Sequence, residues 1–456
     1  MGELKVRNWG IQTILYASSL LIPVLLLISG TLFLYFNHSF VFGYTPITGF
    51  SITLGILLIS SALAWFTIRI LRNKVPLKKK TILQIAHGGL AIIGICGIIF
   101  GFLSANLFIS AIRYTTGPIL TWATDQEPMH EITIMWRTRY PELYVVHYGN
   151  HPNNLNETIS YGFPDEWHRV ALMDLEPDTT YYYQVGKSAK IYDFTTAPSI
   201  EKNFTFLLFS DPRQNTSPIN VLFKPNVPKF MMKTMESDGI DIAFTINAGD
   251  ITHQADMDAT WKSWFDDISE KSGLASYAPL QIAIGNHERQ GDCSANIFSS
   301  YYPYDNKPGF FYSYNYSSTH IQVLDPYNYT SCHWGGLDPV QLAWAHEDLQ
   351  RAASMKYKII ALHPPPLYHS YLNKDLLDLI TLCDTYDVDA VFYGHIHDYE
   401  TTIINGTYFC LIGVGGNDNK SGNPPGFCQV DVSSSEMKIA MRWINGTNEL
   451  IGIIPA

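Results

Sequence analysis

The chain has 456 residues, enough for two or three domains, and its charge is unevenly distributed along its length. Residues 1–113 contain nine Lys and Arg but a single acid, Glu3, whereas the remaining residues contain 21 basic and 40 acidic side chains, a net charge of −19. An acidic surface of this size repels phosphate backbones, so we expect no nucleic-acid binding through a basic groove.

Three apolar stretches occupy this basic first part. Each is long enough to cross the roughly 30 Å hydrocarbon core of a bilayer as a helix. Their approximate bounds are 11–35, 50–71 and 82–112. A cleaved signal peptide would have one shorter apolar region and no successors. The sequence therefore predicts three transmembrane helices within residues 1–113.

The charge of the loops between the spans predicts their orientation. Residues 69–80, RILRNKVPLKKK, have six basic side chains and no acid, whereas residues 37–49 have no charged side chain. Basic loops stay in the cytoplasm. We therefore expect a multi-pass protein of the cell membrane with a cytoplasmic amino terminus, and everything after Arg113 outside the cytoplasm.

Two further features favour export. The residues after 113 contain eight N-x-S/T sequons, which predict glycosylation outside the cell. They are at Asn156, Asn203, Asn215, Asn315, Asn328, Asn405, Asn419 and Asn445. Five of the six cysteines also follow residue 113 and lack CxxC spacing, so we expect one or two disulfides and one remaining thiol.

Short β-prone runs separated by turn residues fill residues 114–198. They are ITIMWRT, LYVVHYG, HRVALMDL, TYYYQVG and YDFTT, rich in Val, Tyr and Thr. This pattern is typical of a small antiparallel β-sandwich. A change of composition at TTAPSIEKN marks its end near residue 198.

After residue 198, apolar strands alternate with helical stretches. The predicted strands are FTFLLFSD, DIAFTINAGD, LQIAIGNHE, HIQVLD, YKIIALHPPP, DAVFYGHIHD and YFCLIGVGG. Helical periodicity is visible in ATWKSWFDDISEK and VQLAWAHEDLQRAAS. The alternation predicts a layered α/β domain over residues 199–456.

Five of these strands end in side chains that can bind metal ions: Asp211, Asp250, Asn286 with His287, His363, and His395 with His397. Open α/β folds usually place their sites at the carboxyl ends of strands. Ordinary alternatives exist, since Asp is common in turns, Asn286 suits a helix cap and a lone histidine such as His363 is often a core residue. The pair in GHIHDY is more specific, because residues i and i+2 of an extended chain point to one side.

The types of these side chains fit a pair of hard or borderline cations. Carboxylate, amide oxygen and imidazole without thiolate suit Fe, Mn or Zn. One Asp carboxylate can bridge two ions about 3.5–4 Å apart, and such a pair lowers the pKa of bound water and clamps a phosphoryl group for in-line attack. The sequence therefore favours phosphate-ester hydrolysis.

The order D…GD…GNHE…H…GHIH over residues 211–397 resembles the calcineurin-like metallophosphoesterases. The stretches GPILTWATDQEPMHEITIMWRT and HRVALMDLEPDTTYYYQVG look like the fibronectin-III-like domain that precedes the catalytic domain in purple acid phosphatases. The resemblance covers roughly residues 117–430 and excludes the spans. It implies an α/β four-layer metallophosphoesterase sandwich, preceded by a fibronectin-III-like β-sandwich and three transmembrane helices.

The resemblance also implies individual roles. Asp211, Asp250 and His397 would hold one metal ion, and Asp250, Asn286, His363 and His395 would hold the other, so Asp250 would bridge the pair. His287 would lie near the substrate and donate or orient a proton.

The stretch HPPPLYHS is similar to the family's H-x-P-x-Y-x-S, which places Tyr368 and His369 near the pocket. The GVGG stretch, Gly413–Gly416, suits a tight turn better than a phosphate cradle.

Two positions depart from the family pattern. Purple acid phosphatases have Tyr three residues after the bridging Asp, where this chain has His253; other metallophosphoesterases have D-x-H where this chain has Asp211-Pro212-Arg213. We interpret His253 as a replacement nitrogen ligand, which leaves Arg213 to bind phosphate bidentately. A salt bridge from Arg213 to a nearby acid is the alternative. Loss of the Tyr would also remove the purple tyrosinate–iron colour.

These observations favour a membrane-anchored, extracytoplasmic phosphatase that hydrolyses phosphate monoesters with two metal ions, by attack of a metal-bound hydroxide. A phosphodiesterase or nucleotidase is the nearest alternative, because the same metal pair serves both. A lipid-phosphate phosphatase would use the spans as more than an anchor, and a surface binding module would retain only a vestigial site. The expected partners are the phosphate ester and the lipid bilayer.

Overall fold

The computed structural model describes residues 115–212, 226–305, 309–327, 335–368, 371–372, 377–416 and 422–456. The three predicted spans lie outside these residues, as do Arg213, His369 and the sequons at Asn215, Asn328 and Asn419. Within the described ranges, no helix is both long and apolar enough to cross a bilayer.

The residues before 198 form a five-stranded antiparallel sheet. Its strands are β1 (Thr116–Thr121), β2 (Ile132–Gly149), β3 (Glu157–Leu172), β4 (Thr180–Val185) and β5 (Tyr192–Thr195). Antiparallel strands were expected here, but they pair into one sheet, where a sandwich would give two. The runs ITIMWRT and LYVVHYG are two halves of β2, of which the first pairs with β1 and the second with β4. Because β3 pairs with both halves, it joins them into a continuous sheet.

Two six-stranded sheets follow. The first, in the order β19-β18-β17-β6-β7-β8, consists of β6 (Phe204–Phe209), β7 (Ile242–Asn247), β8 (Leu280–Ile282), β17 (Gly426–Val432), β18 (Glu436–Trp443) and β19 (Asn448–Pro455). The second, in the order β15-β16-β14-β11-β10-β9, consists of β9 (Tyr312–Tyr316), β10 (Thr319–Val323), β11 (Tyr357–Ala361), β14 (Ala390–Tyr393), β15 (Tyr399–Ile404) and β16 (Thr407–Ile412). A short hairpin pairs β12 (Leu367–Tyr368) with β13 (Tyr371–Leu372).

The strands predicted after residue 198 are β6, β7, β8, β10, β11, β14 and β16, and all are present. Within the first sheet β6, β7 and β8 are parallel neighbours, and within the second β10, β11, β14 and β16 are parallel neighbours. In each sheet, therefore, the carboxyl ends of these strands meet at one edge.

Helices cover the two sheets. The helices are α1 (Val227–Asp238), α2 (Asp258–Phe265), α3 (Leu274–Tyr277), α4 (Asn296–Tyr301), α5 (Pro339–Arg351) and α6 (Leu377–Tyr386). The first four contribute buried side chains to the same core as the first sheet, whereas α5 and α6 share a second core with the outer face of the second sheet. Both helices predicted from periodicity are confirmed, as α2 with its π-helical continuation Asp266–Glu270 and as α5.

The two sheets pack against each other through aromatic rings. Phe244 of β7 stacks on Phe206 at a centroid distance of 4.8 Å and lies 5.1 Å from Tyr316 of β9. Strand alternation divides the second sheet's side chains between two cores, since Ile359 belongs to the core between the sheets and Ile360 to the core under α5 and α6. Helix, sheet, sheet and helix are therefore stacked in four layers, as predicted.

The N-terminal sheet docks onto α2 and α4. Arg137 of β2 pairs with Asp258 at the start of α2 (3.4 Å) and with Glu166 of β3 (3.3 Å). The indole N–H of Trp167 donates to the carbonyl of Tyr301 in α4 at 3.0 Å. These contacts hold the beginning of α2, which follows the loop that carries Asp250.

The structure has more free thiols than the single one predicted from the sequence. Cys383, Cys410 and Cys428 are buried and free, whereas Cys293 is disulfide-bonded. At most one disulfide therefore forms among the five cysteines after residue 113. The three thiols belong to core elements, where cysteine behaves as a small apolar side chain. Burial raises the pKa of Cys410 to about 12, which keeps this thiol protonated and unreactive.

A buried polar network under α5 makes a prediction about pH. Burial alone would raise the pKa of Asp348, but the hydrogen bond from His320 (3.0 Å), the charge of His320 and the hydrogen bonds from Gln322 and Ser313 together outweigh burial and lower it. A carboxyl group whose pKa is lower in the folded than in the unfolded protein stabilises the folded state. This stabilisation is complete above the unfolded pKa, about 3.9, and is lost as the pH falls through the folded pKa. We expect Asp348→Asn to lower the free energy of unfolding by about 2 kcal/mol at pH 7. Urea titrations of both proteins should show this difference shrinking below about pH 4; a difference independent of pH would contradict the assignment.

Candidate metal centre

Five loops bring the predicted ligands together at the carboxyl ends of the parallel strands. Asp211, Asp250 and Asn286 follow β6, β7 and β8 of the first sheet, whereas His363 and His395 follow β11 and β14 of the second. The backbone joins neighbouring loops, since Asp211 N donates to Gly249 O at 3.1 Å and Gly394 N donates to His363 O at 3.1 Å. The site therefore lies where the edges of the two sheets meet.

Two groups of side chains have the spacing of a metal site. One consists of Asp250, His363 and His395, and the other of Asp211, Asp250 and His397. Within each group the potential ligand atoms all lie within 4.8 Å of one another. Asp250 is common to both groups, which is the position of a bridging carboxylate. Asn286 adjoins the first group, because its Oδ1 lies 2.9 Å from His395 Nδ1.

Backbone strain is concentrated at three of these residues. Asp211, Asp250 and His395 have φ angles of 56°, 56° and 69°, in the left-handed region that residues other than glycine rarely adopt. Such conformations cost about 1–3 kcal/mol each and persist where the surrounding structure enforces them. The hydrogen bond from His395 N to Asp211 Oδ2, 2.9 Å, is one contact that this geometry permits.

The donor set fits cations. Among the described side chains, Asp211 Oδ1 and His363 Nε2 are buried polar atoms without a hydrogen-bond partner. His363 Nε2 lies 3.1 Å from Asp250 Oδ1, but the two atoms are not aligned as a hydrogen bond. Since His363 Nδ1 donates to the carbonyl of Ala248 at 2.6 Å, Nε2 is the ring nitrogen that remains to bind a metal ion. Buried polar atoms without a hydrogen-bond partner are costly, and a cation in each metal-binding group would give these two atoms a partner.

The pKa values show that this cluster attracts positive charge. Burial alone would lower the pKa of His363, but the carboxylates of Asp250 and then Asp211 raise it to about 9. Burial, followed by repulsion from His363, lowers the pKa of His395 to about 4. His395 is therefore neutral at pH 7, the form in which imidazole binds metal ions.

Glu288, which the sequence analysis did not single out, ties two of the loops together. It is fully buried, and its Oε2 accepts the backbone N–H of Asp250 (3.0 Å) and of Gly285 (2.8 Å). Its Oε1 accepts the N–H of Thr252 at 3.0 Å. One carboxylate thus orients the Asp250 loop against the Asn286 loop. Its place in GNHE was visible in the sequence, but its backbone partners were not.

His287 and His253 lie beside Asp250. His287 N donates to Asp250 Oδ1 at 3.0 Å, and its ring Nδ1 donates to the carbonyl of His253 at 2.6 Å. Because Nδ1 carries this hydrogen, Nε2 is the ring atom that can exchange a proton with a ligand; it lies 3.7 Å from Asp250 Oδ2. The ring of His253 lies 5.6 Å from that of His287 and belongs to neither metal-binding group. Its role as a replacement ligand stays a prediction.

Comparison with known families agrees with this geometry. Residues 188–399, which contain every predicted ligand, match the family model described as calcineurin-like phosphoesterase. Residues 116–196 match the model of the N-terminal domain of purple acid phosphatases. Residues 188–399 are therefore similar to the calcineurin-like phosphoesterases. The N-terminal five-stranded sheet lies within the second of these matched ranges.

Individual relatives of this chain are distant. Phosphoenolpyruvate phosphatase of Allium cepa is 28% identical over 56% of this chain and 56% of its own length. "Probable inactive purple acid phosphatase 27" of Arabidopsis thaliana is 25% identical over 54% of this chain and 45% of its own length. The chain thus spans about half the length of these curated relatives. A solved purple acid phosphatase from yellow lupin seeds shares the fold, with a TM-score of 0.59, 19% identity and coverage of 75% of this chain and 74% of the lupin chain.

Glycines of the family motifs are required by close approach. A Cβ atom on Gly249, which also has a φ of 96°, would collide with the ring of His363. A Cβ atom on Gly394 would collide with Ser210 and Asp211 Oδ2. In the GVGG stretch, Gly413 and Gly415 pack in the same way against the carbonyl groups of Ile396 and Ser210. These glycines let the loops of the metal centre touch each other.

Three further site residues were predicted, Arg213, Tyr368 and His369. Tyr368 ends β12, Arg213 and His369 lie outside the described residues, and Tyr327, which was not predicted, has its ring 6.5 Å from that of His363. We expect the iron-loaded protein to show no visible tyrosinate charge-transfer band, because His253 occupies the position of the family's tyrosine. The absorption spectrum of the purified protein tests this. A tyrosinate band that is present in the wild-type protein and absent from Tyr327→Phe would show that Tyr327 has taken the role of the family's tyrosine.

Proposed function

We propose that this chain is a membrane-anchored, extracytoplasmic phosphatase that hydrolyses phosphate monoesters at a binuclear metal centre formed by Asp211, Asp250, Asn286, His363, His395 and His397. The observation that carries the proposal is the sharing of Asp250 by two groups of ligand-type side chains. A site for one ion would need only one such group.

The chemistry follows from the donor set. When bound, two such cations polarise phosphoryl oxygens and acidify a water molecule, as binuclear phosphatase sites do. The protein's part is to fix the donors and to manage the proton. The carbonyl of Ala248 accepts a hydrogen bond from His363 Nδ1, and His395 N donates to Asp211 Oδ2. Asp250 Oδ1 accepts from His287 N, and the backbone N–H of Asp250 donates to Glu288. We assign to His287, whose Nε2 lies 3.7 Å from Asp250 Oδ2, the role of holding or delivering a proton at the leaving oxygen of the ester.

The membrane anchor and the outside location are supported by features away from the site. The three apolar stretches before residue 113 suit an anchor, and the basic loop between two of them suits an outward-facing catalytic part. The described sequon residues are all exposed, as glycosylation requires: Asn156, Asn203, Asn315, Asn405 and Asn445. The disulfide of Cys293 also suits an oxidising compartment.

The competing functions predict different enzymatic activities. A phosphodiesterase or nucleotidase would use the same metal pair, and a binding module would keep the fold without turnover, as the name of the inactive relative says of that protein. The convergence of six of the seven predicted ligands, all except His253, argues for an active centre. The membrane anchor keeps a lipid phosphate among the candidate substrates.

The test uses the full chain in lipid nanodiscs. Metal analysis should find Fe, Zn or Mn, and phosphate release should be faster from an aryl phosphate monoester than from the matching diester. Proteolysis of intact cells should remove the part after residue 113 without breaking the cells. Turnover of the diester alone would favour the alternative. Absence of both metal and turnover would contradict the enzyme proposal, and protection of the part after residue 113 would contradict the orientation.

A further inference from the structure

Three exposed apolar residues lie in one short stretch of the ladder between β2 and β3. Tyr140, Leu143 and Phe163 are 55%, 58% and 90% exposed. We name these residues the apolar prong. A phenylalanine that is nine-tenths exposed beside two further apolar side chains is the kind of surface that marks an interaction site.

The prong is part of the ordered ladder. Between the pairs Arg137↔Trp167 and Glu142↔Asp165, β2 has extra residues that include Tyr140. Immediately after the second pair, the extra residues are on β3 instead of β2, and they include Phe163. Bulges of this kind re-aim side chains, so two successive bulges on opposite strands present one aromatic residue each.

Hydrogen bonds and packing hold both bulges. Thr138 Oγ1 donates to Tyr140 O at 2.8 Å and accepts from Nε2 of the buried His168 at 2.8 Å. In the second bulge, Gly162 has a φ of 94° and packs beside the ring of Tyr144. The exposure of the prong is therefore a consequence of the fold.

The position of the prong identifies its partner. Thr116, the first residue of β1, pairs with Arg137, which precedes Tyr140 by three residues or about 10 Å of strand. The third predicted span ends at residue 112, and the chain from there to Thr116 can reach at most about 14 Å. If the chain is anchored as proposed above, on which this step rests, the ladder that bears the prong lies next to the bilayer surface.

The composition of the prong suits lipid headgroups. Tyr and Phe favour the membrane–water interface, and Arg139, whose guanidinium carbon lies 5.9 Å from the Tyr140 ring centre, can reach lipid phosphate. The nearby acids have partners of their own, since Glu142 pairs with Lys187 at 3.3 Å and Asp165 accepts the N–H of Glu166 at 2.6 Å. We propose that the apolar prong inserts into the interfacial layer of the outer leaflet and orients the catalytic unit against the membrane.

The experiment places an environment-sensitive nitrobenzoxadiazole label at the prong. Phe163→Cys and the control Val340→Cys, an exposed residue of α5, are labelled in the full chain and reconstituted into phosphatidylcholine nanodiscs that contain nitroxide lipids. The unsubstituted chain, labelled in parallel, reports the background of the native cysteines. We expect the label at residue 163 to emit at shorter wavelength and to be quenched several-fold more strongly than the label at residue 340.

The outcomes separate the prong from the anchor. Equal and weak quenching of both labels in membrane-anchored chains would overturn the proposal that the prong inserts into the membrane, and it would leave the proposed function intact. A blue shift at residue 163 without lipid quenching, increasing with protein concentration, overturns the lipid assignment in favour of contact with a second copy of the chain. A chain that fails to enter the nanodiscs overturns both the anchor and this inference, whereas its phosphate-release activity is measured separately.

Discussion

Asp250→Asn is expected to lower phosphate-ester turnover about 10²–10⁴-fold, since breaking a buried charged set costs about 3–5 kcal/mol and each 1.4 kcal/mol corresponds to a factor of ten. Asp250 is 1% exposed and is shared by both metal-binding groups, so its loss affects both ions of the proposed pair. Asn suits this test because it tolerates the left-handed φ of 56°, where Ala would add strain. Metal content, measured by mass spectrometry of the purified protein, should fall together with turnover.

The matched control for this variant is Asp256→Asn. Asp256 is on the same loop and has the same chemistry, but it is exposed and contacts Gln254 at 2.6 Å instead of the metal-binding groups. We expect it to keep both metal and activity. If Asp250→Asn retained the metal and turnover of the control, the central role of Asp250 would be wrong. A loss in both variants would point to the loop as a whole.

Glu288→Ala is expected to destabilise the protein and to weaken metal retention. This carboxylate accepts hydrogen bonds from the backbone N–H groups of Asp250, Thr252 and Gly285, and all three residues are buried. A buried donor left without a partner costs about 1–3 kcal/mol, so the loss of three predicts a destabilisation of about 3 kcal/mol or more. Urea unfolding, with and without added metal, measures both effects.

Glu347→Ala is the control for Glu288. Its side chain is 72% exposed and pairs loosely with Arg351 at 3.9 Å, so the substitution should change stability by no more than about 0.5 kcal/mol. A Glu288→Gln variant separates shape from charge, because the amide keeps the volume but turns a donor toward a backbone N–H. If Glu288→Ala unfolded at the same urea concentration as Glu347→Ala, the carboxylate would not hold the loops.

The ligand positions could be predicted because each follows an apolar strand directly. DIAFTI becomes β7 and leads to Asp250, and DAVFY becomes β14 and leads to His395, so strand periodicity and polar punctuation together locate the site. Parallel pairing then brings the ends to one edge, as expected of an α/β fold. The glycines beside these residues were visible in the motifs, but the collisions that require them appear only in three dimensions.

Other features depend on partners that sequence spacing does not reveal. Glu288 acts on backbone N–H groups up to 38 residues away, and every residue has such a group, so no side-chain pattern announces the contact. The single N-terminal sheet results from β2 continuing through Tyr140 and Pro141, where turn-like residues suggested a break but form a bulge. Strands β17, β18 and β19 were not predicted, although they complete the first sheet.

The meeting of ligand-bearing loops from both sheets has a consequence for the life of the protein in the cell. Asp211 and Asp250 belong to one sheet and His363, His395 and His397 to the other, so each metal-binding group spans the junction between them. A cation bound there fastens the two halves of the core, and binding to the folded state alone adds about 2.7 kcal/mol when the ion exceeds its dissociation constant a hundredfold. Metal starvation would therefore remove the catalytic activity and also shorten the half-life of the chain. The abundance of the protein would then follow the metal supply.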